Sequence, residues 1–217
     1  RIGVIKEYFG EGLDPDVKVK VELAIKELES AGCEVKEVSL PSLPSALACY
    51  YAIMPAEVSS NLSRYDGQRF GYSSSKAKDL EQSYLWSRSE GFGHEAKRRI
   101  MIGTYVLSSG YYDAYYRRAQ QVRTKLISEF AKAFRTNDFL VGPTAPNTAF
   151  EIGANEDPLQ MYLTDIMTVA ANLVGIPAVS IPAGNINGLP VGLQLMAASN
   201  QDRRLLALAN KAEEIVS

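Results

Sequence analysis

Arg98 and Arg99 open a stretch whose side chains have more chemical use than a simple helix pair requires. From Lys97 the chain runs through an apolar segment, breaks at Ser108-Ser109-Gly110, and continues into Tyr111, Tyr112, Tyr115 and Tyr116. Arginine presents a planar, permanently charged fork that matches a carboxylate or phosphate. Tyrosine presents a rigid apolar body with a hydroxyl at its tip. Together they suit the wall of a polar pocket. Periodicity alone favours a plainer arrangement, with the tyrosines packed at helical spacing and Arg117 and Arg118 in solvent. Adjacent residues lie roughly 100° apart around a helix, so Arg98 and Arg99 cannot both face one site.

Asp165 is the second candidate, alone in the run Met161-Tyr162-Leu163-Thr164-Asp165-Ile166-Met167. A carboxylate facing a core must be paired or hydrogen-bonded, or its burial costs on the order of several kcal/mol. A solvent-facing place on an amphipathic helix fits the spacing equally well. Tyr50 and Tyr51 sit in an Ala-rich apolar segment, with Glu57 among small residues nearby.

Several chemistries are excluded. His94 is the single histidine, in a polar Gly-rich context that reads as an exposed loop. A Ser-His-Asp or Cys-His hydrolase would need it beside a nucleophile, and no Gly-x-Ser-x-Gly elbow supplies one. A transition-metal centre would need more His or Cys ligands than are present. Gly91-Phe92-Gly93 and Gly10-Glu11-Gly12 lack the third glycine of a dinucleotide fingerprint, and no phosphate-binding Gly-x-x-x-x-Gly-Lys-Ser/Thr occurs.

The elements that must position these groups belong to an α/β chain. At 217 residues it fits one domain with a sizeable core, or a large piece of one. A formal charge of -2 makes no case for a dedicated nucleic-acid surface. Cys33 and Cys49 suggest neither a disulfide framework nor zinc, which points to a reducing cytosolic or organelle-matrix setting. No apolar run is long enough to span a bilayer. Arg1-Ile2-Gly3-Val4-Ile5 reads as a buried strand without an initiator Met, so a fragment or processed product is expected.

Asp14-Pro15 starts a helix, with Val17, Val21, Ala24, Ile25 and Leu28 on one face and Gly32 at its end. A strand over 33–40 follows, and strand–helix–strand argues for parallel pairing. A helix over 45–62 contains Pro55, and a polar excursion over 64–93 turns at Asp66-Gly67 and holds one helix near 79–87. Helices over 95–107 and 111–135 come next, then a strand through Gly142. Asp157-Pro158 starts a helix that carries Asp165 and ends at Gly175. Strands over 178–181 and 191–197 are joined through Asn187-Gly188, a hairpin signal, and should neighbour the Gly142 strand in one mixed sheet covered by helices. Asp202 caps a last amphipathic helix.

Arg98-Arg99-Ile100 through Tyr116, Gly142-Pro143-Thr144-Ala145-Pro146, Gly175-Ile176-Pro177 and Gly188-Leu189-Pro190-Val191-Gly192-Leu193-Gln194 resemble the amidase-signature family. Arg64-Tyr65-Asp66-Gly67 and Ser87-Arg88-Ser89-Glu90-Gly91-Phe92-Gly93 resemble its branch of glutamine-hydrolysing subunits of tRNA-dependent amidotransferases. The resemblance runs from Arg1 to about Lys211 and implies the C-terminal part of a single amidase-signature domain. The family's nucleophilic serine, bridging cis-serine and lysine all precede the matched region, so this chain alone is expected to be inactive. Glutamine is a zwitterion and calls for one cation and one anion. By resemblance Arg99 binds its α-carboxylate, Asp165 its α-ammonium, and Tyr50 adds a hydroxyl contact, while Arg98 points elsewhere. The resemblance further implies partner B and C subunits, tRNA bound mainly through one of those partners, ATP and Mg used by the whole complex, no cofactor in this chain and no membrane.

Overall fold

The computed structural model describes residues 1–154 and 158–216. Its elements in chain order are β1 (Ile2–Ile5), α1 (Pro15–Ser30), β2 (Val35–Val38), α2 (Ala46–Leu62), α3 (Leu80–Gly91), α4 (His94–Val106), α5 (Arg118–Ala133), β3 (Phe139–Pro143), α6 (Pro158–Leu163), α7 (Val169–Val174), β4 (Ala178–Ile186), β5 (Leu189–Ala197) and α8 (Asp202–Val216). A π-helical turn, Tyr112–Arg117, leads into α5. The chain divides into two compact units, one of Arg1–Leu47 with Val122–Ser217 and one of Ala48–Gln121.

The first unit is built on a five-stranded sheet of order β2-β1-β3-β5-β4. β1 runs parallel to β2 and β3, whereas β5 runs antiparallel to β3 and β4. The mixed sheet and the β3–hairpin neighbourhood are therefore as the sequence implies. The Asp14 carboxylate accepts the backbone N–H groups of Asp16 (2.8 Å) and Val17 (3.2 Å), starting α1 with Pro15 at its first position. The predicted apolar face of α1 is buried. It joins Val141, Leu193, Leu195 and Ala197 of the sheet and Leu205, Ala209 and Ala212 of α8 in one core. Burying a side chain the size of Val or Leu stabilises by roughly 1.5–3 kcal/mol. Leu140 and Met196 are buried too, as are Leu126 and Phe130 of α5.

The hairpin turns at Asn187 (φ 51°) and Gly188 (φ 83°), the pair of positive φ values that a tight two-residue turn needs. Its strands extend beyond the expected 178–181 and 191–197. β4 runs past Ile181 to Ile186, with an irregularity in its ladder between Pro182 and Asn185. A proline is tolerated there because β4 is an edge strand. The Gln201 carbonyl accepts the Leu205 N–H, so Asp202 lies in the first turn of α8, one place inside its expected cap.

In the second unit, Asp79 caps α3 by accepting the Gln82 N–H at 2.8 Å. His94 is exposed, but as the first residue of α4 and not in a loop. The tyrosine block is not a packed helical face. Tyr111, just before the π-helical turn, and Tyr112 and Tyr115 within it are exposed; ring centroids lie 4.3 Å apart for Tyr105 of α4 and Tyr111, and 5.3 Å apart for Tyr112 and Tyr116. Arg117 and Arg118 are exposed, as periodicity implies.

Asp66 closes the turn expected at Asp66-Gly67. Its buried carboxylate accepts the N–H of Arg69 (3.0 Å) and of Gln68 (2.9 Å). Those two bonds favour the charged form and lower its pKa to about 2. A depressed folded-state value gives stability that is fully present above the unfolded pKa, roughly 3.9. That stability fades as the pH falls toward 2. A carboxyl titration followed by NMR should place Asp66 near 2, with the Gln68 and Arg69 amides losing protection over the same interval. An ordinary aspartate midpoint would contradict the turn geometry.

Candidate functional site

Arg99 is placed by the meeting of α2 and α4. Gly103, one helical turn after Arg99, approaches α2 so closely that an added Cβ would lie 1.9 Å from the Pro55 carbonyl oxygen. Ser59 and Thr104 exchange a hydroxyl hydrogen bond at 2.9 Å one step further on. Pro55 itself lacks the N–H that a helix interior would direct at the Tyr51 carbonyl. With the backbones this close at Gly103, Arg99 faces Tyr50, Tyr51 and Met54 of α2.

The Arg99 guanidinium donates through Nε to Glu95 at 2.7 Å and through Nη1 toward the Tyr50 hydroxyl at 3.5 Å and Met54 Sδ at 3.4 Å. It also lies 5.7 Å from the Tyr51 ring centroid, within cation–π range. Burial pulls the Arg99 pKa down, but the Glu95 hydrogen bond and the nearby Tyr50 outweigh it, so the net shift is upward. Arg98 takes the other Glu95 oxygen at 2.7 Å from the solvent side. Its side chain is 46% exposed against 20% for Arg99. The two arginines thus separate as their adjacency requires. Glu57 accepts the Tyr116 hydroxyl at 3.0 Å, so it joins the tyrosine block and not the arginine.

Asp165 belongs to the other unit and is not on a continuous helix. The single helix expected to carry it is instead two short ones, α6 and α7, separated by a turn over 164–168. Asp157, expected to open that helix, lies outside the described residues. Threonine hydroxyls bond back to the chain on both sides of the break. Thr164 Oγ1 donates to the Met161 carbonyl at 2.6 Å and Thr168 Oγ1 to that of Asp165 at 3.1 Å. Such local bonds compete with the helical ladder. The N–H groups of Thr164, Asp165 and Ile166 bond three residues back, tightening the chain. Asp165 is half-buried on this turn, and among the described residues no hydrogen bond or ion pair reaches its carboxylate.

Thr164, Ile166 and Met167 help line a cavity of about 690 Å³ with Glu7, Tyr8 and Leu43. Glu7 Oε1 accepts Ser39 Oγ (2.6 Å) and the Leu40 N–H (2.9 Å), while Glu7 Oε2 and the Tyr8 hydroxyl are buried without a partner among the described residues. Burial pushes the Tyr8 hydroxyl well above its ordinary range.

A family model described as Amidase matches residues 1–206. The chain belongs to the amidase family. The glutamyl-tRNA(Gln) amidotransferase A subunit of Pseudomonas entomophila is 53% identical over 216 residues, covering 99% of this amidase chain and 45% of that protein. The protein of the same name from Halorhodospira halophila matches at 53% with the same coverage. The amidase chain thus spans just under half the length of these relatives. The crystal structure of the glutamyl-tRNA(Gln) amidotransferase A subunit from Thermotoga maritima superposes with a TM-score of 0.71 at 37% identity, covering 94% of this chain and 40% of that one. A further amidase crystal structure, 24% identical with a TM-score of 0.77, shares the fold.

Of the candidates, Arg99 and Tyr50 come together in one unit, and Asp165 stands in the other. Sequence reasoning missed Glu95 and Gln194. Glu95 was legible as a helix-face partner, four residues before Arg99. Gln194 interrupts the apolar run Leu193 to Met196 on a buried strand, the same kind of signal that singled out Asp165.

Proposed function

We propose that this chain is the C-terminal part of the glutamine-hydrolysing A subunit of a tRNA-dependent amidotransferase. The whole protein would release ammonia from glutamine, for conversion of Glu-tRNA(Gln) or Asp-tRNA(Asn) to the amidated tRNA. The observation that carries this reading is the Arg99 guanidinium, held by Glu95 with the Tyr50 hydroxyl 3.5 Å away, in a chain 53% identical to subunits of that name. A guanidinium oriented before the ligand arrives is suited to a carboxylate. Arg99 takes the α-carboxylate of glutamine, Tyr50 adds its hydroxyl, and Asp165 takes the α-ammonium. Partner B and C subunits complete the assembly, with tRNA bound mainly through a partner. ATP and Mg belong to the chemistry of the complex, in a cytoplasmic or organelle-matrix setting.

On this reading the nucleophilic serine, its cis-serine partner and the lysine, which the amidase-signature resemblance implies, belong to a part of the whole protein outside residues 1–217. Residues 1–217 purified alone should therefore hydrolyse no amide, and glutamine turnover abolished by a substitution within them would overturn that division of labour. The full-length protein with its partners should release ammonia from glutamine far faster than from valeramide, which lacks both charges. Equal rates would point to a stand-alone amidase for small amides.

A further inference from the structure

Gln194 is buried to 3% exposure in β5, flanked by β3 and β4, where it pairs with Gly142 and Ser180. Neighbouring Leu193, Leu195 and Met196 are apolar and fully buried. An amide side chain in such surroundings is costly unless its polar atoms are bonded. Its Nε2 donates to the Met167 carbonyl at 2.9 Å, with a longer contact to the Pro143 carbonyl at 3.4 Å. Met167 lies two residues after Asp165, inside the turn that breaks the helix. Gln194 therefore ties the most buried part of the sheet to the backbone of the Asp165 turn.

The rest of that segment is held differently. Arg123 Nε donates to the Leu173 carbonyl at 2.7 Å, at the far end of α7. The Asp165 carbonyl accepts the N–H groups of Thr168 (3.0 Å) and Val169 (3.2 Å), bonds within the turn itself. Local bonds give the turn its shape, and Gln194 fixes its place on the sheet.

We infer that Gln194 is a positioning residue for Asp165, setting where its carboxylate is presented to the α-ammonium of the amide substrate. The inference rests on the proposed ammonium-binding role of Asp165. Removing the donor leaves the Met167 carbonyl buried without its partner and frees the turn to shift, while the carboxylate is retained.

The test uses the full-length protein with its partner subunits and compares Gln194→Met, Asp165→Asn and the double variant. Methionine keeps the volume and unbranched shape but donates no hydrogen bond. The readout is the ratio of kcat/KM for glutamine to that for 4-carbamoylbutanoate, which keeps the amide and carboxylate but lacks the ammonium. A general loss of structure would lower both and leave the ratio unmoved. Gln194→Met should reduce the ratio roughly three- to tenfold, the scale of one hydrogen bond, and add little on top of Asp165→Asn. If Asp165→Asn lowers the ratio and Gln194→Met does not, the positioning role is wrong and the ammonium site stands. If Asp165→Asn leaves the ratio unchanged, the ammonium site itself is wrong and the inference falls with it.

Discussion

Replacing Gly103 by alanine should cost about 3 kcal/mol or more, at the upper end of what overpacking costs. The added Cβ would meet the Pro55 carbonyl oxygen at 1.9 Å, the carbonyl carbon at 2.4 Å and Ser59 Cβ at 2.7 Å. Two of those atoms are backbone, so no rotamer change can relieve the overlap, and α2 and α4 must separate. Alanine's better helix propensity returns only about 1 kcal/mol. Equilibrium unfolding in urea should show a lower midpoint for Gly103→Ala. Gly93→Ala serves as the control, since its Cβ meets nothing within 4 Å and it precedes α4 with an ordinary φ of -69°. A Gly103 variant as stable as that control would mean the helices are not in close approach. Separation of α2 from α4 should also loosen Arg99 from Tyr50, so the same substitution should weaken glutamine binding in the assembled protein.

That coupling shows what the sequence could and could not disclose. The sheet was largely legible because strand and turn signals agree, with a continuous apolar run at β3 and Asn187-Gly188 between β4 and β5. The helix start at Asp14-Pro15 was legible for the same reason, since the cap chemistry is local. The backbone contact of Gly103 with Pro55 was not, because nothing local says that two helices meet there. The broken helix around Asp165 was misread because apolar spacing outweighed Thr164 and Thr168, whose hydroxyls bond backward to the chain. Exposure of Tyr111, Tyr112 and Tyr115 was missed because the register shifts through a π-helical turn, which a 3.6-residue period cannot anticipate.

Arg99→Lys should weaken glutamine binding by roughly 1.5–3 kcal/mol, about ten- to a hundredfold in KM. Lysine keeps the charge but has no fork. It cannot hold Glu95 on one edge and offer the planar face and second edge that arginine places beside Tyr50 and Tyr51. Asp165→Asn should raise the same KM, because a neutral amide no longer attracts an ammonium and presents a donor to a donor. Neither residue belongs to the ammonia-consuming chemistry in the proposed complex. Their effect should therefore depend on the nitrogen source. The most direct measurement is tRNA amidation by the assembled protein with glutamine and, separately, with ammonium chloride, for wild type, Arg99→Lys and Asp165→Asn. Glutamine-driven amidation should require far higher glutamine in both variants while ammonium-driven amidation continues. Equal loss with both donors would contradict the account and make Arg99 and Asp165 supports of the fold or of an intersubunit contact.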